Sequence, residues 1–523
     1  MICSQCGGQV PEGKKFCPLC GAPQAAPAVN KNNVKKSADS LKKRKNVVPV
    51  IVTSVLFLAA SATTGILAYK YHEKKQDDIK YYKKLAERNM EEFKYEEAIA
   101  AYNDLIELDP AFAEAYTNMA EMYKAQNKYY DARAILNQGI DSVSGDDAED
   151  LEDALDEVQA VIDTPVSLSG VVTEAEFGNS YGNPTGGVTV TVHSTDELRD
   201  EEYTASTVTG PDGYYSFDDL TVGNYEITFE GNDSIGTTQQ YEVYAGSQEA
   251  YNSVVQVIPS LYAGSGTASG RIVSATNGDQ GVSDLVVDIR EGYNNLDGDV
   301  ISTCDTDSYG YYYTDNLSAG CYTLNFHTDV DSAVDVDDED EDEDEDYISG
   351  FINICIFGNH NNENQNGSIS SSLAAGQMRV VLTWGATPSD LDSHLFCALD
   401  NGDCGHVYFS NQEFNSYTDD GYVAVADLDW DDTDSYGPET VSIYQPEPGI
   451  YTYGVFDYSR NSDMDIANSG VRVEVYMANS AMPVYVFYAP GGSGYFWEIF
   501  SYDTHTGRVS IINQMADGYD SNN

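Results

Sequence analysis

Two sets of residues in this chain are spaced for metal chemistry. Near the start, Cys3, Cys6, Cys17 and Cys20 form C-x2-C-x10-C-x2-C. Each pair sits on a short turn, CSQCG and CPLCG, so both thiolates of a pair can face one ion. Four thiolates around a tetrahedral Zn2+ make a closed structural site with no coordination position left open. The competing reading, redox C-x-x-C pairs or disulfides, lacks the surrounding βαβ pattern that a redox motif needs. Far along the chain, Asp390, Asp392, His394, Asp427, Asp429, Asp431, Asp432 and Asp434 crowd two short segments. Alternating Asp on a strand places carboxylates on one face. Hard oxygen donors at that density suit Ca2+, and a histidine among them would also admit Zn2+ or Mn2+. The plainer reading is turn and cap chemistry in a chain already saturated with Asp.

Nothing points to catalysis. The seven histidines are scattered, and no HExxH, G-x-S-x-G, phosphate-cradling Gly-Lys loop or cysteine–histidine signature occurs. Carboxylates abound, but a glycosidase-like pair needs a cleft, and small sandwiches fill their interiors with side chains. The expectation is a protein that is not an enzyme.

The charge is unevenly spread along the chain. The formal net charge is -59. Residues 164–523 hold seven Arg, no Lys and sixty Asp/Glu, which leaves about -53 by subtraction. Nucleic acid is excluded as a partner of this acidic body, since phosphate binding needs cations. Between the basic start and the acidic body lies the uncharged stretch Val47–Tyr69, VVPVIVTSVLFLAASATTGILAY. It is long enough to cross a bilayer as a helix and too long for the core of a secretory signal. Lys42, Lys43, Arg44 and Lys45 precede it, which favours a cytoplasmic N-terminus and an extracellular C-terminal body. No sorting pattern follows Gln514, so this one span is expected to do the anchoring.

The cysteine segment, residues 1–22, resembles the short zinc ribbons at the N-termini of many bacterial membrane proteins. A basic linker, 23–46, joins it to the membrane helix, 47–69. Beyond the membrane, in a helical region 76–163, residues 79–141 repeat at a period of 34: Tyr82, Leu85, Ala86, Ala98 and Tyr102 are answered by Tyr116, Met119, Ala120, Ala132 and Leu136. Alanine at those positions lets paired helices approach closely, and Pro110 closes the first unit. EAIAAYNDLIELDPAFAEAYTNMAEMY looks like a tetratricopeptide repeat, and Asp146–Asp163 continues the period as a cap. Such arrays hold peptides or partner proteins, or act as spacers.

From Ser167 the period changes to two, with Val, Thr, Tyr and turn residues. Residues 165–259 and 264–372 read as two copies of one module. Gly213-Tyr214-Tyr215 corresponds to Gly310-Tyr311-Tyr312, and Gly223-Asn224-Tyr225 to Gly320-Cys321-Tyr322. Both resemble the carboxypeptidase regulatory-like and Cna B-type β-sandwiches, which serve as stalks in surface proteins. The internal Lys–Asn isopeptide bond of some relatives is excluded, because no lysine follows Lys128. The second copy carries an insert, 335–346, with eleven carboxylates in twelve residues, which reads as a solvated loop. In an exported chain Cys304 can pair with Cys321, or either with Cys355, and spacing leaves that choice open. Cys397 and Cys404 enclose ALDNGD and read as a local disulfide.

Residues 373–515 contain all three tryptophans and look like the YfaP-like β-sandwich of bacterial secreted proteins, in Asp390-Leu391-Asp392-Ser393-His394 and Tyr436-Gly437-Pro438-Glu439-Thr440. The fold class expected is therefore multidomain: a small zinc ribbon, one transmembrane helix, an α-helical tetratricopeptide repeat, then all-β sandwich modules. The function expected is a single-pass, membrane-anchored surface protein with structural Zn2+ and a calcium site, whose stalk modules extend a terminal sandwich towards a protein or surface-polymer ligand. Two rivals stand beside it. One is an envelope sensor or scaffold signalling through the ribbon. The other is a carbohydrate-binding protein, suggested by forty tyrosines.

Overall fold

The computed structural model describes residues 72–90, 94–246, 249–251, 254–328, 347–374, 376–418, 421–433, 435–444, 447–460, 466–478, 482–490, 492–505 and 507–519. The cysteines at 3, 6, 17 and 20, the linker 23–46, the apolar stretch 47–69, the insert 335–346 and Asp434 lie outside the described residues. Among the described residues no helix is long and apolar enough to cross a membrane.

Five helices come first: 72–90, Tyr95–Leu108, Ala113–Ala125, Tyr129–Ser142 and Asp146–Ile162. Ala86, Ala98, Ala115 and Ala132 are fully buried where helices meet. Gly139 is small for the same reason, since a Cβ there would lie 2.8 Å from the Tyr116 ring. Tyr102, Tyr116, Leu105 and Leu136 complete this core.

Two β-sandwiches of one plan follow. In the first, the sheet Thr204–Val208, Thr189–Ser194, Gly223–Glu230, Thr237–Val243 covers a second sheet built on Val166–Glu176. In the second, Ser302–Asp305, Leu285–Glu291, Gly320–Thr328, Gly350–Ile356 covers a sheet built on Ser265–Ser274. Strand alternation buries one face of each, as Val190, Val192, Ile227 and Phe229 do in the first copy. Gly170 pairs with Tyr215 and Gly270 with Tyr312, and each tyrosine ring lies over its glycine.

The terminal sandwich stacks a six-stranded sheet (Glu413–Thr418, Gly421–Trp430, Glu439–Ile443, Met378–Thr383, Arg472–Met477, Tyr485–Tyr488) on a five-stranded one (Cys404–Val407, Leu391–Leu399, Gly449–Asp457, Phe496–Asp503, Arg508–Ala516). Trp384 and Trp497 lie in its core. Trp430 does not; its indole packs against Gly278 of the second sandwich. All three sandwiches share a Gly-x-Tyr strand start whose tyrosine hydroxyl donates back to the carbonyl four residues earlier: Tyr225 to Thr221 at 2.8 Å, Tyr322 to Ser318 at 2.8 Å and Tyr451 to Glu447 at 2.9 Å.

The expected extended stalk is corrected by the packing. Residues 73–523 form one compact unit. Val222 of the first sandwich enters the helical core, and Tyr293, Cys321 and Phe357 of the second enter the core of the first. Ala275, Ile348, Val381 and Tyr476 make a further small core between the second and terminal sandwiches. Apolar surface shared this way binds the modules into one body, as a hinged stalk would not.

Candidate functional site

Three carboxylates converge from three strand ends of the terminal sandwich. Asp392 lies near the start of Leu391–Leu399, where every residue from Leu391 to Leu395 is buried. Glu439 opens the strand Glu439–Ile443, and Asp431 directly follows Gly421–Trp430. One oxygen from each lies within 4.8 Å of the others. Asp392 is 2% exposed and Glu439 fully buried.

These groups lack what buried carboxylates normally have. One Glu439 oxygen accepts the Ser393 backbone N–H. Its other oxygen, Asp392 Oδ2, Asp431 Oδ1 and Asp390 Oδ1 are buried with no hydrogen-bond partner. Among the described ion pairs, none involves Asp390, Asp392, Asp431 or Glu439. Burial, and then the charges of Asp390, Asp431 and Asp457, push Asp392 up to about 8. Burial, and then Asp431, Asp432 and Asp457, push Asp390 up to about 6. Glu439 is raised well above the usual carboxylate range, chiefly by burial. Crowded, dry and acceptor-only when ionised, this arrangement fits a hard divalent cation.

Of the other expected ligands, Asp429 is already neutralised. It accepts from the hydroxyls of Ser442 and Tyr444 and stands 4.0 Å from the Arg379 guanidinium. Asp427 lies further back on that strand, opposite Glu413. Asp432 is half-buried and falls outside the group of three. His394 is also outside it, which corrects the expectation of an imidazole among the carboxylates and removes the argument for Zn2+ or Mn2+. Its ring sits among Phe396, Phe456, Phe496 and Tyr519, with Nδ1 2.9 Å from His406 Nε2. Burial pushes His394 down to about 3 and His406 down to about 4. Glu439 is a member of the group that the runs of Asp do not point to. Its only signal was its place in the segment Tyr436–Thr440, outside the runs of Asp.

Two disulfide expectations also change. The strand Leu285–Glu291 lies between Cys304 and Cys321, so those two are not neighbours. Cys321 instead stands directly across from Cys355, with their sulfurs 2.7 Å apart. Cys397 pairs with Gly405 and turns into the core, while Cys404 pairs with Ala398 and is exposed. Opposite faces of one ladder cannot be bridged without moving backbone. All five of these cysteines are free thiols in the structure.

Residues 89–161 match the tetratricopeptide repeat family, so the helical part is a tetratricopeptide repeat, and it is followed by β-sandwich modules. No curated protein sequence matches the chain. Among solved structures, the Bacillus anthracis TIE protein is similar at 13% identity and a TM-score of 0.16, over 55% of this chain and 45% of that one. The major pilin SpaD of Corynebacterium diphtheriae is similar at 12% identity and 0.16, over 58% and 63%. The major pilin subunit BcpA of Bacillus cereus is similar at 8% and 0.15, over 56% and 87%. The chain thus spans less than half of the TIE protein and under two thirds of SpaD. Scores this low define no common arrangement.

Proposed function

We propose that this chain is a non-enzymatic, membrane-anchored cell-surface protein whose terminal β-sandwich is locked by a divalent cation, calcium by its donor chemistry. The observation that carries the cation is the set of orphaned oxygens on Asp392, Asp431, Glu439 and Asp390. An ion there would balance charges that otherwise repel each other in a dry setting. All-oxygen donors select calcium or magnesium over softer metals. Calcium accepts irregular carboxylate geometry with water completing its shell, whereas magnesium demands a near-ideal octahedron. The surface placement rests on the apolar stretch 47–69 and on a lysine-free acidic body. On this reading Cys3, Cys6, Cys17 and Cys20 hold a structural Zn2+ on the cytoplasmic side, and the exported modules present the ligand-binding surface.

Titration calorimetry of calcium chloride into residues 73–523 tests the cation. One saturable site that disappears in Glu439→Gln is expected. Absence of saturable heat, or an unchanged site in that variant, would refute it.

A further inference from the structure

The outward face of the first sandwich carries chemistry unrelated to the carboxylate cluster. On Gly223–Glu230 the positions turned away from the core include Asn224 and Glu226; on Thr237–Val243 they include Gln240 and Glu242. The antiparallel register sets Asn224 opposite Glu242 and Glu226 opposite Gln240. Two amides and two carboxylates therefore form a two-by-two block on one face. The block is pre-set: Gln240 Nε2 donates to Glu226 Oε2 at 3.2 Å, and Asn127 Nδ2 donates to Glu242 Oε1 at 2.9 Å.

This block is one wall of a cleft of about 730 Å3. Such a volume lies inside the roughly 300–1,000 Å3 of small-molecule sites. The remaining walls come from the segment 482–488 with Ile511 and Asn513 of the terminal sandwich, and from Phe351 and the loop 294–298 of the second. That loop is fixed by its own side chains. Asn295 Nδ2 donates to the Glu291 carbonyl at 2.8 Å, and the Gly298 N–H donates to Asn295 Oδ1 at 2.9 Å. Asn294 Oδ1 accepts from Asn353 Nδ2 at 2.7 Å and from the Tyr488 hydroxyl at 3.4 Å. A site whose polar groups are already held costs little ordering on binding.

The lining also limits the ligand. It contains no lysine or arginine, while Glu226, Glu242 and Asp297 contribute three carboxylates. Phosphorylated, sulfated and carboxylated ligands are repelled. What remains is planar amides and carboxylates, which meet paired hydroxyls, beside the Tyr488 ring and the apolar Leu296, Met482 and Pro483, which meet C–H faces. The chemistry that satisfies both is a sugar's.

We propose that this cleft between the three sandwiches binds a neutral oligosaccharide. The cation reading is independent of it, because no cluster carboxylate lines the cleft.

The test is calorimetry of residues 73–523, in calcium, against three probes. These are a panel of neutral gluco-, galacto- and manno-oligosaccharides, a sulfated oligosaccharide, and spermidine. At least one neutral member is expected to bind at low-millimolar strength or better. Gln240→Ala and Glu226→Gln should each weaken it by about tenfold or more, the size of one lost hydrogen-bonding group at about 1.4 kcal/mol, with melting temperatures unchanged. No neutral binder at that strength overturns the proposal. So does neutral binding indifferent to both substitutions, tighter binding of the sulfated probe, or spermidine binding that Glu226→Gln abolishes while neutral sugars stay unbound.

Discussion

Ser393 gives its backbone N–H to one oxygen of Glu439, and the other oxygen of that carboxylate has no partner. The contact ties the two sheets of the terminal sandwich together and holds the Glu439 carboxylate beside those of Asp392 and Asp431. Substituting Glu439→Gln keeps the acceptor for Ser393 and replaces an unpaired oxygen by an amide donor. In chelator this variant is expected to be more stable than the parent by about 1–3 kcal/mol, the usual size of an uncompensated buried polar group. In calcium it should gain nothing further. Urea melts in both buffers check this; a variant less stable than the parent in chelator would count against a repulsive cluster.

Cys321 and Cys355 face each other across one ladder, and Cys304 is separated from Cys321 by a whole strand. Oxidation of the purified protein with a disulfide oxidant is expected to yield one linked peptide pair, Cys321–Cys355, by mass spectrometry. Cys404, which is exposed, should label rapidly with a thiol reagent in the folded protein, and the core residue Cys397 slowly. Recovery of a Cys304–Cys321 or Cys397–Cys404 link from folded protein would contradict the register.

Asn127 joins the helical repeat to the first sandwich. At φ 57° it occupies the left-handed region, where asparagine is tolerated. Its amide donates to Glu242 Oε1 at 2.9 Å and to the Val243 carbonyl at 3.1 Å, and its oxygen accepts the Ala245 N–H at 2.9 Å. Asn127→Ala should cost about 1–3 kcal/mol, since it strains the backbone and leaves partners unsatisfied. Faster hydrogen exchange should appear across both the helices and the strand Thr237–Val243. Exchange confined to the helices would mean the two parts are not coupled.

Burial holds His406 down at about 4, from an ordinary value of 6.5. Because the folded value is depressed, the unfolded chain takes up this proton first as pH falls. Stability is therefore unaffected above about 6.5 and declines between 6.5 and 4. The carboxylates around Asp392 titrate with the opposite sign, so the diagnostic quantity is the difference between the parent and His406→Gln. That difference should be flat above pH 7 and move in the variant's favour below 6. A difference independent of pH would mean that His406 is not held neutral.

The architecture was legible where local pattern decides it. Buried alanines at a 34-residue spacing gave the helical repeat, and period-two alternation with matched Gly-x-Tyr starts gave two copies of one sandwich. The third Gly-x-Tyr, at Gly449-Ile450-Tyr451, is masked in the sequence because its flanking strands differ from those of the other two. The site was half legible. Alternation placed Asp427, Asp429 and Asp431 on one face, but a bulge between Leu428 and Trp430 breaks that alternation. Arg379 and Ser442 then claim Asp429, and the strand end delivers Asp431 to a partner on another strand. Glu439 reaches the cluster only through the stacking of two sheets, which no local pattern encodes. Compact packing in place of a stalk has the same origin: Cys321 and Phe357 look like ordinary strand residues until another module covers them.

The central claim is tested most directly by the melting temperature of residues 73–523 in millimolar calcium and in chelator. A cation that binds only the folded state stabilises it by about 2.7 kcal/mol at a hundredfold excess over its Kd. A rise of several degrees in calcium, absent in Glu439→Gln, is the predicted result. Identical melting in calcium and chelator, for parent and variant alike, would contradict the account.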